Sequence, residues 1–128
     1  MRHTSPSTIV RAWQEAVNDR DVDRLLELSD PEIEVSGPRG SGHGHTLLRE
    51  WLDRAGLSLE TLRVFERGGV VVVAQRGLWR SVETGEVVGE HDVASLFRVD
   101  GRRVTYFARY DDLESALEAA GLGYAEEV

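Results

Sequence analysis

Glu86 to Tyr110 reads EVVGEHDVASLFRVDGRRVTYFARY. Its two runs rich in valine, phenylalanine and tyrosine, joined at Asp100-Gly101, predict a long β-hairpin, because Asp-Gly readily adopts the positive φ angles of a two-residue type I′ turn. Alternation along a strand puts His91, Val93, Ser95, Phe97 and Val99 on one face and Asp92, Ala94, Leu96 and Arg98 on the other. Both faces carry apolar residues, so both need cover. Helices are expected on one side and a second subunit on the other.

Immediately upstream, a strand from Leu57 to about Arg67, a Gly68-Gly69 turn, a strand from Val70 to Arg80 and a turn at Glu83-Thr84-Gly85 lead into the hairpin and complete a four-stranded antiparallel meander. The two faces of the Leu57–Arg67 strand are similarly mixed, so its inward face is not fixed by pattern. Further back, Ser5-Pro6 has the form of an N-cap followed by proline at the first helical position. The helix it opens runs to about Asn18, with Ile9, Ala12, Trp13, Ala16 and Val17 in one stripe. Asp21 caps a short second helix with Val22, Leu25 and Leu26 inward, ending before Asp30-Pro31. Ile33 and Val35 alternate with Glu32, Glu34 and Ser36, as a half-buried strand does. Gly37 to His45 has glycine at four of nine positions and reads as a loop. Thr46 then caps a third helix with Leu47, Leu48, Trp51, Leu52 and Ala55 on one side, and Gly56 ends it.

Beyond the hairpin, Asp111 and Glu114 form a capping-box pattern for a last helix carrying Leu113, Ala116, Leu117 and Ala120. Gly121-Leu122 suits a Schellman ending, and Gly123 to Val128 are expected to fray. The whole, residues 1–128, reads as one α+β domain with helices packed on one face of a curved antiparallel sheet.

Charge and composition narrow the function. With 23 acidic residues against 15 basic ones, the net charge is −8 and the pI about 5.0, which disfavours nucleic acid and anionic membranes as partners. The absence of cysteine excludes disulfides, thiol nucleophiles and cysteine-ligated metals. Every basic residue is arginine, so a Schiff-base lysine and a P-loop lysine are excluded as well. The N-terminal MRHTSPST lacks the apolar core of a signal peptide, and no window approaches a membrane span, so an intracellular, cytoplasmic location is expected.

Three phrases, AWQEAVNDRDVDRLLEL followed by DPEIEV, the glycine-rich segment leading into LLREWL, and LFRVDGRRVTYFARYDDL, together resemble the nuclear transport factor 2-like superfamily, and within it the SnoaL-like proteins of the polyketide cyclase and steroid isomerase kind. The resemblance implies a cone, in which the sheet wraps around three N-terminal helices, leaves an apolar cavity open at one end and dimerises through its outer face. Steroid isomerases of this superfamily use a carboxylate base after the first strand with a tyrosine and a protonated aspartate as oxyanion hole. Here the base position falls at Val35 or Ser36, the tyrosine position at Trp13 and the aspartate position at Ser95. The final aspartate of the Asp-Arg-Asp arrangement of limonene epoxide hydrolases falls near Arg109. Neither constellation is complete.

On that reading His91 is the candidate general base, with Tyr106 or Trp13 as donor. The cavity would be lined by Trp13, Val17, Val35, Trp51, Trp79 and Val93, and by Ser95, Phe97, Ala108 and Tyr110. By the family match Tyr106, Ala108 and Tyr110 face inward, while Leu96, Arg98 and Phe107 face outward as the dimer contact. Arg109 reads as a surface ion pair with Asp111 and Asp112, and Arg39 as a candidate anion contact. His43 and His45 have no matching third ligand nearby, so neither a metal nor a cofactor is expected. The expected function is binding of a small, largely apolar molecule in a cone-shaped pocket. The alternative is a cofactor-independent isomerase, cyclase or lyase using His91 as base.

Overall fold

The computed structural model describes residues 5–37, 40–81 and 83–128, apart from the side chains of residues 54 and 55; Arg39 lies outside this set. Helix α1 (Pro6–Asp19) begins as its sequence dictates, with the Ser5 hydroxyl accepting the Thr8 amide at 3.3 Å. Asp21 caps α2 (Val22–Glu27) in the same way, through Arg24 N–H. Next come β1 (Ser29–Gly37), β2 (Gly40–His43), α3 (His45–Ala55), β3 (Leu57–Arg67), β4 (Val70–Arg80), β5 (Val87–Asp100), β6 (Arg103–Tyr110) and α4 (Leu113–Ala120). One sheet in the order β2-β1-β6-β5-β4-β3 carries all the described strands. The meander β3 to β6 is antiparallel, β1 joins β6 in parallel, and β2 folds back on β1.

Three bulges in the antiparallel meander decide which side chains meet there, since one extra residue bends a strand and moves every later side chain to the other face. On β3 the extra residue is Leu62, between the pairs Thr61–Gln75 and Arg63–Ala74, and it is left exposed. Leu57 and Leu59 therefore share the concave face with Val64, and the mixed pattern of this strand is explained. On β5 the extra residue is Val88, also exposed. On β6 it is Thr105, between the pairs Val99–Val104 and Arg98–Tyr106. Asp100 pairs with Arg103, so the hairpin turn is Gly101-Arg102, with Gly101 at φ +63° and Arg102 not at positive φ. The expected turn at Asp100-Gly101 is thus displaced by one residue and is not type I′.

The concave face holds the main core. Trp13 is fully buried, with its ring centroid 5.0 Å from Phe107, 5.3 Å from Phe97 and 6.0 Å from Trp51. Burial of one such ring stabilises the fold by roughly 1.5–3 kcal/mol, and each aromatic pair adds about 0.5–1.5 kcal/mol. Beside them lies a buried polar chain. Ser95 Oγ donates to Gln75 Oε1 at 2.7 Å, Gln75 Nε2 donates to Gln14 Oε1, and Gln14 Nε2 donates to Thr61 Oγ1 at 3.1 Å. Every member finds a partner, as burial requires.

Part of the convex face is covered by the C-terminal segment. Phe65, Val72, Ala94 and Leu96 pack against Ala116, Leu117 and Leu122 of the C-terminal segment. The α4 cap is Asp112, which accepts the Ser115 amide at 2.7 Å, rather than Asp111. The Schellman bonds form as expected, Leu122 N–H to Leu117 carbonyl and Gly121 N–H to Glu118 carbonyl. The last residues do not fray: a 3₁₀ turn at Tyr124–Glu126 is followed by a Val128 N–H bond to the Val64 carbonyl, and Arg63 grips Glu127 through two hydrogen bonds. The sequence pattern missed this anchor because its partners lie about sixty residues upstream.

This arrangement corrects the expected outer contact. Leu96 is 2% exposed beneath α4, and Phe107 is 3% exposed inside the concave core. Only Arg98 remains on the surface, stacked over Tyr106 at 5.4 Å.

Candidate functional site

Within the glycine-rich segment that composition marks as a loop, Gly40–His43 form a strand. Val35 pairs with Gly42, Ser36 with Ser41, and Gly37 with Gly40, so β2 extends the sheet past β1. Backbone pairing to β1 offsets the conformational entropy that glycine loses in a strand. The glycines have a packing use: a Cβ on Gly42 would sit 2.6 Å from Leu47 Cδ2. Helix α3 starts at His45 with Gly44 as N-cap, two residues before the expected Thr46 cap. His45 Nε2 lies 2.9 Å from the Ser29 carbonyl and donates to it, while His43 pairs with Glu34 at 3.5 Å across the two strands. Both histidines are therefore held. Among the described residues no group of three histidine, aspartate or glutamate side chains is placed to hold a metal.

Between this hairpin, α3 and the end of β6 lies a pocket of about 730 Å³. Val35, Leu47, Trp51 and Phe107 form its apolar wall; Ser36, Ser41 and the glycines 37, 40 and 42 form its rim; Arg109 closes one side. Its size suits a small organic ligand. Val35, Gly42 and Phe107 stand in one row across β2, β1 and β6. Further along β6, Arg109 is paired with Ser95 of β5, while Gly37 and Gly40 at the tip of the β1–β2 hairpin offer no side chains. The pocket is the space those side chains would otherwise fill.

Arg109 owes its position to the Thr105 bulge. Without that extra residue Tyr106, Ala108 and Tyr110 would face inward; with it Phe107 and Arg109 do. Tyr106 and Tyr110 instead pack with the convex cluster beneath α4, and Ala108 is paired with Leu96 of that cluster. Burial, then the neighbouring Tyr106, raises the Tyr110 hydroxyl above its ordinary pKa. Nor does Arg109 pair with Asp111 or Asp112: among the described residues no carboxylate lies within 4.0 Å of it. Its guanidinium lies instead over Trp79, 5.5 Å from the ring centre. That ring lies back over Gly77, where a Cβ would meet it at 2.7 Å, and the His91 ring centre is 5.8 Å from its own.

The remaining expected residues divide clearly. Val35 and Trp51 line the pocket. Trp13, Val17, Ser95 and Phe97 are at most 1% exposed and have no surface to offer a ligand. Trp13 Nε1–H is already donated to Ser29 Oγ at 2.9 Å, and the Ser95 hydroxyl to Gln75. Val93 is buried, and His91 is exposed and outside the pocket lining. Pattern reading missed Arg109, Phe107 and Leu47 as pocket residues, and it read the β2 segment as a loop. The signal for the last was its glycine content beside a helix rich in leucine; for the first two no local signal existed, because the bulge is a tertiary event.

The model of the SnoaL-like domain matches residues 10–107, and the chain belongs to that family. A search of curated proteins found no match. Solved structures with the same NTF2-like fold include an NTF2-like protein of unknown function from Cytophaga hutchinsonii, at TM-score 0.73 and 15% identity over 90% of this chain and 96% of that one. TerC co-crystallised with polyporic acid aligns at TM-score 0.72 and 22% identity, over 91% of this chain and 98% of its own. A ketosteroid isomerase-like fold from Catenulispora acidiphila, in complex with trimethylamine, aligns at 0.71 and 20%, over 94% and 96%. At these identities the likeness establishes the fold alone. Among the described residues no helix is long and apolar enough to cross a membrane.

Proposed function

We propose that the protein binds one small, flat, largely apolar molecule in the pocket between the β1–β2 hairpin, α3 and the end of β6, and performs no proton transfer there. The observation that carries this reading is the lining itself: aromatic and aliphatic walls, a glycine rim, and Arg109 as the one ionisable group among the described residues. A general acid or base must sit within hydrogen-bond reach of the proton it moves, and arginine stays protonated. Membership of the SnoaL-like family and the co-crystallisation of TerC with polyporic acid are consistent with small-molecule binding. The test is titration of the neutral fluorogenic arene N-phenyl-1-naphthylamine. Saturable binding at one site per chain is expected, weakened about tenfold or more in Leu47→Asn, which removes apolar contact from the wall. Absence of saturable binding would sink the reading.

The alternative, a cofactor-independent isomerase, cyclase or lyase with His91 as base, is favoured by the inward parity of His91 and its place against Trp79. It requires a substrate that reaches past Arg109 to the end of β5. Under it His91→Ala abolishes turnover and leaves pocket affinity nearly unchanged; with Tyr106 on the convex face, the donor would have to come from elsewhere.

A further inference from the structure

Resting on the pocket reading above, we propose that the ligand is an organic anion, a flat body with a delocalised negative charge at one end, and that Arg109, positioned by Trp79, selects it. Three observations converge. Among the described residues Arg109 is the one arginine that is not exposed. Among those residues it is also left without a carboxylate partner, in a chain where acids outnumber bases 23 to 15. And it stands at the wall of the pocket, whose other described side chains are apolar or hydroxyl-bearing.

A guanidinium partly withdrawn from water needs acceptors for its N–H groups, and stacking on Trp79 satisfies its face while leaving its edge donors available. A carboxylate, enolate or phenolate oxygen entering the pocket supplies those acceptors in the planar geometry that arginine matches best. The rest of such a ligand has Trp51, Phe107 and Leu47 to lie against. The strand pattern explains why no internal carboxylate does this instead. Asp112, three residues on, is committed to capping α4 on the convex side of the sheet, whereas Arg109 projects from the concave side.

The experiment compares two probes sharing one arene skeleton: anionic 1-anilinonaphthalene-8-sulfonate and neutral N-phenyl-1-naphthylamine, each titrated into the intact protein by fluorescence. The expected result is tighter binding of the anion by about tenfold or more, the effect of a hydrogen-bonded charge pair. In Arg109→Gln the affinity ratio should fall to about one, in Arg109→Lys it should be partly kept, and in Arg98→Gln, on the convex face, it should not change. Trp79→Leu should lower the ratio several-fold by releasing Arg109 from its platform. Equal affinities in the unaltered protein, or a ratio insensitive to Arg109→Gln in a variant that unfolds at the normal temperature, would overturn the inference while leaving the pocket standing. If neither probe binds, the pocket reading itself fails and this inference falls with it.

Discussion

The concave face of the sheet has two parts that adjoin at β6 and are built to opposite ends. In one, Trp13, Phe97 and Phe107 interlock, and the Gln14–Gln75–Ser95 chain fills what aromatic rings leave. In the other, the strands continue into β1 and β2, but glycine replaces side chains and about 730 Å³ stays open. A curved sheet encloses a volume whatever its sequence, and side-chain size row by row decides whether that volume is core or pocket. Of the positions matched to the steroid isomerases, Trp13 and Ser95 fall in the closed half, and Val35 and Ser36 line the open one. The hydrogen-bonding groups of Trp13 and Ser95 are engaged inside the protein.

The contrast can be broken most forcibly in the closed half. Trp13→Ala should cost about 3–5 kcal/mol, as removal of a buried aromatic does, read by denaturant unfolding; a cost below 1 kcal/mol would mean that this half is not close-packed. Next in size is Gln75→Leu, which strands the Ser95 hydroxyl and the Gln14 carbonyl and should cost roughly 1–3 kcal/mol. The double variant Gln14→Leu/Gln75→Leu should cost less than the sum of the single ones, because the two residues share one bond.

Changes in the open half should move affinity more than stability. Gly42→Ala forces Leu47, a flexible side chain, to shift within the pocket wall. Arene affinity should fall several-fold for a stability change of about 1 kcal/mol, and unchanged affinity would place the ligand elsewhere. The smallest effect belongs to neither half. Asp112→Asn weakens the α4 cap on the convex face and should lower the melting temperature slightly without touching probe binding. The Ser115 backbone and side-chain hydrogen bonds hold the Asp112 carboxyl below its ordinary value of 3.8. Its stabilising contribution is therefore complete above that value and is lost as pH falls through the lower folded-state value. The difference between the two proteins should accordingly be present at neutral pH and shrink in strong acid.

Local chemistry in the sequence determined the helices, the meander and the α+β class. Ser5-Pro6, Asp21 and Gly121-Leu122 each act within a few residues of themselves, and the apolar stripes of α1 and α3 need only the helical period to be read. Face assignment was legible only up to the first bulge. On β5, Phe97 and Ser95 face inward as alternation requires, yet the extra residue Thr105 turns Arg109 inward and the two tyrosines outward. The tertiary structure alone decided that inversion, and with it the pocket, because a bulge is set by pairing between strands and sheet curvature rather than by any preference of threonine. It also decided that Gly40–His43 pairs as a strand and that the C-terminal residues anchor on β3, since both depend on partners distant in the chain. A sequence carries its short-range free energies openly; which side chains share a face after two strands slip by one residue is settled only when the whole sheet closes over its core.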